Sequence, residues 1–343
     1  MFMKPKISIV VPVYNVEEVV SECLDSVIEQ DFDGAVECII VDDCGNDRSM
    51  EVVKKILSGY NGTIDFKIVT HQENGGLSVA RNSGIAAAVG DYIFFLDSDD
   101  VIPPNALSLL YQRASEHPDV DIVIGQTKCF PDDNYDAFYD FKRFNVPDYT
   151  ADVDLIRSWY LEIPHIAWNK LIRREFILAD DLYFLPGIIH EDYHWQFKSY
   201  FTVSSIAFVS EDTYFYRKRQ HSIMANDNEE RRLINTLSIG EDILNVCHDW
   251  DYQMSRFWCY FLINAKMQSL TYADKKARRQ YRRVVSALLR SDKFSCRQKL
   301  FLSYFRLPRP YFRGSIMIYL LTHFLGLQRP DGSKFTTRFT RKA

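Results

Sequence analysis

Five short apolar runs, each ending in or followed closely by polar residues, dominate the first 125 residues of this 343-residue chain. They are ISIVVPV (7–13), ECIIVDD (37–43), DFKIVTH (65–71), DYIFFLD (91–97) and VDIVIGQ (120–126). Near-continuous β-branched and aromatic runs of this kind predict strands buried on both faces, as in parallel sheets covered by helices. Between them the apolar spacing becomes helical. Val16, Val19, Val20, Cys23, Leu24, Val27 and Ile28 share one stripe, Met50, Val53, Ile56 and Leu57 another, and 78–89 and 104–115 follow the same pattern. Strand–helix alternation predicts βαβ units and an α/β fold. Ligands of open α/β sheets bind outside the carboxyl ends of the strands. Asn15, Asp42–Asp43, His71 with Asn74–Gly76, and Asp97–Asp100 therefore converge on one predicted crevice.

Each cluster has a chemical and a structural reading. Three carboxylates in Asp97-Ser98-Asp99-Asp100 repel one another unless a cation sits among them, and Mg²⁺ or Mn²⁺ takes one or two carboxylates plus water and phosphate. The competing reading is a turn in which Asp99 or Asp100 caps a helix starting near Pro103–Pro104. Asp42 and Asp43 suit a nucleobase N–H or ribose hydroxyl, or cap the helix near Asp47–Met50. In Asn74-Gly75-Gly76 the glycines allow close backbone approach and open a helix whose N-terminus favours phosphate, with Arg81 one turn in. No GxGxxG or GxxxxGK string occurs. His190-Glu191-Asp192-Tyr193-His194 fits H-E-x-x-H, which on a helix would bind zinc in a protease. The same string also offers Glu191-Asp192 as a carboxylate base for a hydroxyl nucleophile.

SIVVPVYN (8–15), IIVDDCGND (39–47), ENGGLSVARNSG (73–84), GDYIFFLDSDD (90–100), WNKL (168–171) and HED (190–192) together resemble family 2 glycosyltransferases, inverting enzymes of the glycosyltransferase-A fold. The likeness spans about residues 5–225. It implies a mostly parallel nucleotide-sugar-binding sheet flanked by helices, followed by an all-helical C-terminal region. By the resemblance, Pro12 and Tyr14 border base and ribose, Asp42 binds the base, most often uracil, and Asp43 and Ser98 belong to the nucleotide-sugar-binding set. Gly76 and Arg81 lie near the nucleotide, Asp97 contacts ribose or metal, and Asp99 holds Mn²⁺ or Mg²⁺ on the diphosphate. Asn169 and Lys170 stand near donor or acceptor. Asp192 is the base beside Glu191, and His221 is a further metal or phosphate contact. Cys44 departs from the VDDGS form of many members, and the QxxRW string of processive synthases is absent. The expected activity is transfer from a nucleotide-diphosphate-sugar, a UDP-sugar by the resemblance, to a glycan or polyprenyl-diphosphate-linked acceptor in polysaccharide biosynthesis. The alternatives are the zinc protease and a non-catalytic nucleotide-sugar-binding protein.

Two domains are expected, 1–225 catalytic and 226–343 helical. Residues 126–150 read as a surface excursion, and 229–247, 252–272 and 275–290 as helices. Residues 273–343 hold 18 Lys or Arg against 3 Asp or Glu, although the whole chain is at −5. Such a tail predicts an anionic partner. The apolar stretch within 309–327, flanked by arginines, suits the interface of an anionic membrane rather than a span. Nucleic acid is not expected, because no recognition module appears and the crevice half is acidic. Seven cysteines without a CxxC pair predict a reducing compartment. With no h-region or long apolar run, the expected location is cytoplasmic, peripheral at the inner face of the membrane.

Overall fold

In a computed structural model of the chain, the described residues are 6–130, 146–161, 163–218, 229–246 and 275–290, with Lys299 and Ser303. The chain divides into two compact units, Met1–Ala225 and Asn226–Ala343.

The first unit is built on one eight-stranded sheet. In chain order its elements are β1 Ile7–Val13, α1 Val20–Ile28, β2 Val36–Asp42, α2 Ser49–Gly59, β3 Asp65–Thr70, α3 Leu77–Ala87, β4 Tyr92–Phe95 and α4 Ala106–Glu116. Then come β5 Ile122–Phe130, β6 Tyr149–Thr150, α5 Val153–Trp159, β7 Lys170–Arg173, α6 Arg174–Ala179, α7 Glu191–Ser199 and β8 Ile206–Arg217. The strand order is β3-β2-β1-β4-β7-β5-β8-β6. β3, β2, β1 and β4 run parallel, as do β5 and β8, while β7 runs antiparallel to β4 and β5, and β6 to β8. The four helical stripes and five apolar runs of the sequence all become elements within a few residues of the expected bounds. Residues 206–217 form one long strand, with register shifts around Gln126 of its partner.

Period-two alternation divides β1 between two layers. Ile7, Ile9, Val11 and Val13 join Val20, Leu24, Val27, Leu107 and Leu110 in the core under α1 and α4. Val10 points the other way, toward α3. A Cβ on Gly84 of that helix would lie 2.2 Å from Val10 Cγ1, so only glycine lets α3 sit this close. β1 and β4 pair only as far as Val10 and Phe95, whereas β1 and β2 stay paired through Val13 and Asp42. Val10 accepts from the Leu96 N–H on the β4 side. Pro12, two residues on, turns its missing N–H to that same side, where no ladder remains to be broken. The two strands part there, at the switch point of the strand order, the place where open α/β sheets bind their ligands.

The opposite, amino end of the sheet carries a fully buried carboxylate. Glu37 accepts from Ser8 Oγ at 2.5 Å, Lys67 Nζ at 2.6 Å, and the N–H groups of Val89 and Gly90 at 2.6 and 3.1 Å. Burial pushes its proton affinity up, but the bonds from Lys67, Ser8 and Val89 outweigh it and hold the carboxyl below its usual range. The folded value lies under the unfolded one, so this stabilisation is complete above the unfolded value of about 4.3. It is lost as pH falls through the folded value. Urea melts of Glu37→Gln should therefore lose less stability than wild type between pH 5 and about pH 3. At neutral pH the variant should be weaker by about 2–3 kcal/mol, mainly because buried donors lose their acceptor. The half-exposed Lys67 adds little to that loss.

In the second unit, α8 Glu229–Val246 and α9 Lys275–Arg290 pack together. Leu237, Ile239 and Ile243 are buried on α8, and Tyr281, Val284, Val285 and Leu288 on α9. The Gln280 amide donates to Ser238 Oγ at 3.1 Å and Glu241 Oε2 at 3.3 Å. The helix expected over 252–272 and the arginine-flanked stretch at 309–327 lie outside the described residues. Among the described residues no helix is long and apolar enough to cross a membrane.

Candidate active site

The turn after β4 is held from beneath by β8. Asp100 is buried, and its carboxylate accepts from the Tyr214 hydroxyl and the Arg217 N–H, both at 2.7 Å. The same hydroxyl accepts from the Asp97 N–H at 3.2 Å. Arg217 Nε donates to the Asp99 carbonyl at 2.8 Å, and Val101 pairs with Phe215. Burial, with the charges of Asp99 and Asp97, raises the Asp100 carboxyl well above its usual range. Asp100 is thus the anchor of the turn, and Asp97 and Asp99 keep partly exposed positions. The turn does not cap α4, whose N-cap is Asn105.

Asp97 meets the guanidinium that organises the site. Arg81, 2% exposed on α3, donates through one nitrogen to Asp97 at 2.7 Å and through another to Glu191 at 2.6 Å. Its carbon lies 5.3 Å from the Phe184 ring centre and 6.0 Å from that of Phe95. Next to it, Asn82 exchanges two hydrogen bonds with the Phe184 backbone, donating to its carbonyl and accepting from its N–H, each at 2.8 Å. Phe184 packs on Trp195 of α7, and the Trp195 indole donates to the Leu182 carbonyl at 2.7 Å. One turn of α3 therefore ties the β4 exit to the start of α7.

Glu191 and Asp192 occupy the first turn of α7, where the helix dipole favours carboxylates. His190 precedes them with φ 66°, outside the helix. This differs from the placement of both histidines within one helix that zinc chemistry would use. Glu191 is also committed to Arg81. Asp192 keeps part of its surface open, yet crowding by neighbouring atoms pushes its carboxyl up to about 7. Burial is the largest cause and Glu191 the next, while Arg81 and Lys170 pull the other way. A carboxylate whose proton affinity sits near neutrality is suited to accept a proton from a hydroxyl.

The β2 and β3 exits build the other wall. Asp43, 2% exposed, accepts from the N–H groups of Gly75 and Gly76 at 2.9 Å each and bonds His71 Nδ1 at 2.7 Å. His71 Nε2 lies 2.8 Å from Ser83 Oγ. Gly76, at φ 81°, is the N-cap of α3, a conformation glycine adopts without strain. Asp42 ends β2 and accepts from the Cys44 N–H at 3.1 Å. Tyr14 is 45% exposed at the rim, and Asn15 at φ 53° accepts from the Asn46 N–H at 2.8 Å. Helix α2 is capped by its own neighbour: Asp47 accepts from Ser49, so neither Asp42 nor Asp43 serves it.

Asp42, Gly76, Arg81, Asp97, Asp99, Glu191 and Asp192 thus come from four strand or helix ends that meet at α3, where Arg81 bonds Asp97 and Glu191 and the Gly76 N–H bonds Asp43 beside Asp42. Pro12, Asp43, Ser98, Asn169 and Lys170 are buried behind that surface. Asn169, at φ 56°, donates to the carbonyls of Gly125 and Gln126 and to Thr127 Oγ1, and accepts from Thr213 Oγ1 at 2.6 Å. Lys170 donates to the Ile166 carbonyl. His221 lies outside the described residues. The Tyr214 clamp, the Asn82–Phe184 link and the His71 bridge were not assigned from sequence, and Arg217, which by the resemblance stands in a segment closing over the diphosphate, bonds Asp99, Asp100 and Glu22. Asn82 and Ser83 did stand inside a motif string, the only signal that pointed to them.

Among the described residues no three His, Cys, Asp or Glu side chains gather closely enough to form an all-protein metal cage. The donor set here is two carboxylates on one turn. Such a set fits a hard divalent ion whose remaining ligands are phosphate and water, and does not fit a zinc site of three protein ligands.

Residues 8–182 match the family described as Glycosyl transferase family 2. Glycosyltransferase GlyG of Streptococcus pneumoniae serotype 4 is 31% identical over 252 residues, 71% of this chain and 79% of that protein. Poly(ribitol-phosphate) beta-N-acetylglucosaminyltransferase TarS of Staphylococcus aureus is 27% identical over 247 residues, 70% of this chain but 41% of that protein. The crystal structure of S. aureus TarS 1-349 in complex with UDP-GlcNAc aligns with TM-score 0.67 at 21% identity, covering 88% of this chain and 87% of that one. Mannosyltransferase PcManGT from Pyrobaculum calidifontis, in complex with GDP-Man and Mn²⁺, aligns with TM-score 0.57 at 16% identity over 95% of this chain and 87% of that one. At those structural identities the likeness is one of fold.

Proposed function

Because the chain belongs to glycosyl transferase family 2 and is a glycosyltransferase, we propose that it moves a sugar from a UDP-sugar to a hydroxyl of a glycan or lipid-linked glycan, with inversion, in polysaccharide biosynthesis. The observation that carries this reading is the Asp97–Arg81–Glu191 bridge, which unites carboxylates at the sheet edge with the carboxylates of α7. Asp42 and Tyr14 receive the base and ribose. The α3 N-terminus at Gly76 faces the diphosphate, its N–H groups set by Asp43. Asp99, with Asp97, would hold Mn²⁺ or Mg²⁺, which supplies positive charge against the leaving diphosphate. Asp192 accepts the proton of the acceptor hydroxyl as the oxygen attacks the anomeric carbon from the face opposite the nucleotide. Support for donor and ion comes from the UDP-GlcNAc and the Mn²⁺ that the two structural neighbours bind. The polymer named in the TarS relative supports a polymeric acceptor.

The test is a thermal-shift panel of nucleotide-sugars, each with Mn²⁺, Mg²⁺ or EDTA. A ligand at a hundredfold excess over its Kd stabilises by about 2.7 kcal/mol. A UDP-sugar should raise the melting temperature with the ion and far less with EDTA, and NMR of the product should show an inverted anomeric centre. Equal stabilisation with EDTA, or a retained anomer, would refute the reading.

We further propose that the second unit docks on anionic lipid at the inner face of a cell membrane. α9 carries Lys275, Lys276, Arg278, Arg279, Arg282, Arg283 and Arg290 and no acidic residue. Its apolar face is already covered by α8, and Arg279, Arg282, Arg283 and Arg290 are exposed. The contact is therefore electrostatic rather than inserted, at about 1 kcal/mol per cation. In flotation, binding to phosphatidylglycerol-containing vesicles should fall with salt and with Arg279, Arg282 and Arg283 changed to Gln. Equal binding to neutral vesicles would overturn it.

A further inference from the structure

One imidazole ties the exits of β2 and β3 to the middle of α3. His71 Nδ1 bonds Asp43 Oδ1 at 2.7 Å, and its Nε2 bonds Ser83 Oγ at 2.8 Å. The backbone fixes the strand side of this chain. The Asp43 N–H donates to the Val13 carbonyl at 3.0 Å, and the His71 N–H donates to the Asp42 carbonyl at 2.9 Å. Ser83 stands two helical turns beyond Gly76, so the two share one side of α3. An ionised carboxylate only accepts, so the proton facing Asp43 belongs to His71 Nδ1, and the Ser83 hydroxyl donates to Nε2 of the neutral ring.

The turn held by this chain has no side chains of its own. Gly75 and Gly76 donate their N–H groups to Asp43 Oδ1 and Oδ2, each at 2.9 Å. A Cβ on Gly76 would meet no atom of the described residues within 4 Å, so its backbone borders open space. Ala80 donates to the Gly76 carbonyl, which leaves the N–H groups of Leu77, Ser78 and Val79 without partners inside the helix. Those are the donors that an anion at this end of α3 would use. Asp43 Oδ1 takes both Gly75 and His71, so the ring sets the plane in which the carboxylate meets the two glycines. An Asp–His–Ser chain also occurs in nucleophile triads. Ser83, however, lies inside α3, where the neighbouring N–H groups bond within the helix, so no donors stand beside it for an oxyanion. The serine anchors the ring.

We propose that His71 is a positioning residue for the donor: its Nδ1–H orients the Asp43 carboxylate, which holds the Gly75–Gly76 turn so that the first N–H groups of α3 are set for a diphosphate before it arrives. The inference rests on the reading that this end of α3 faces the donor diphosphate.

The experiment measures the Kd of UDP and of uridine, with Mn²⁺ throughout, for full-length wild type, His71→Gln and His71→Asn. An asparagine amide nitrogen can stand where Nδ1 stood and keep the bond to Asp43, whereas a glutamine amide reaches toward Ser83 instead. His71→Gln should raise the UDP Kd by about tenfold, as expected for the loss of one hydrogen bond to a charged group, and move the uridine Kd by less than about twofold. His71→Asn should restore most of the UDP affinity. A purely structural role would lower the melting temperature and the active fraction without shifting the Kd of the protein that stays folded. Unchanged UDP affinity in His71→Gln would overturn the inference, as would an asparagine variant no better than glutamine or an equal loss for uridine. A wild type that binds neither UDP nor uridine would remove the donor reading itself, and the role of His71 with it. Should His71→Gln not fold, long-range ¹H–¹⁵N spectra of wild type decide, with the His71 signals assigned from His71→Asn. The proton must sit on Nδ1, and a ring protonated on Nε2 alone overturns the inference.

Discussion

Asp192→Asn should lose acceptor-dependent transfer by about 10²–10⁴-fold, the range a positioned general base contributes, while donor affinity stays within a few fold. Asparagine keeps the shape of the side chain and removes its capacity to take a proton. The donor side of the crevice is untouched, because the Arg81 bonds run to Asp97 and Glu191 and not to residue 192. In the wild-type enzyme the carboxyl is raised to about 7, so turnover should climb with pH through neutrality as Asp192 ionises. Radiolabelled-sugar transfer read together with donor calorimetry checks both halves. A variant that kept more than a tenth of wild-type turnover would exclude Asp192 as the base and transfer the search to Glu191.

Arg81→Met should damage stability as well as activity. It strands Glu191 and Asp97, whose side chains are 10% and 23% exposed, without their shared cation. Breaking a buried pair by removing one partner costs about 3–5 kcal/mol, here roughly 10 °C in melting temperature for a unit of this size. It also removes the cation packed on Phe184 and Phe95. Lysine should not rescue the loss, since one ammonium on a flexible stem cannot make two divergent bonds with the geometry of a guanidinium. Calorimetric melts of Arg81→Met and Arg81→Lys test this. A variant melting within 2 °C of wild type would mean that the bridge contributes little.

Much of the sheet and the acidic edge was legible because both depend on local pattern. ISIVVPV and YIFFL alternate or run apolar as buried strands must, and polar residues at their ends fall at the crevice by topology alone. What sequence left open were questions of partner. Asp97, Asp99 and Asp100 look equivalent in a row of carboxylates, yet Asp100 faces Tyr214 and Arg217, more than a hundred positions later. Asp43 resembles Asp42 as a ligand contact, but its oxygens are taken by Gly75, Gly76 and His71. Asn169 and Lys170 sit in a motif string and are buried. Their burial depends on β7 inserting antiparallel between β4 and β5, a long-range pairing that no periodicity encodes. His190 shows the converse: its string fits a helix, and the backbone leaves the helix at that residue.

The link between α3 and α7 has a consequence for how such an enzyme can diversify. Arg81 and Glu191 are 110 positions apart, yet the β4 exit and the first turn of α7 are joined through one guanidinium rather than by the intervening polypeptide. Wherever that polypeptide does not itself pair in the sheet, it is released from the duty of keeping the two ends aligned. Insertions and deletions outside the paired strands can therefore accumulate between α3 and α7 while the Asp97–Arg81–Glu191 contact persists.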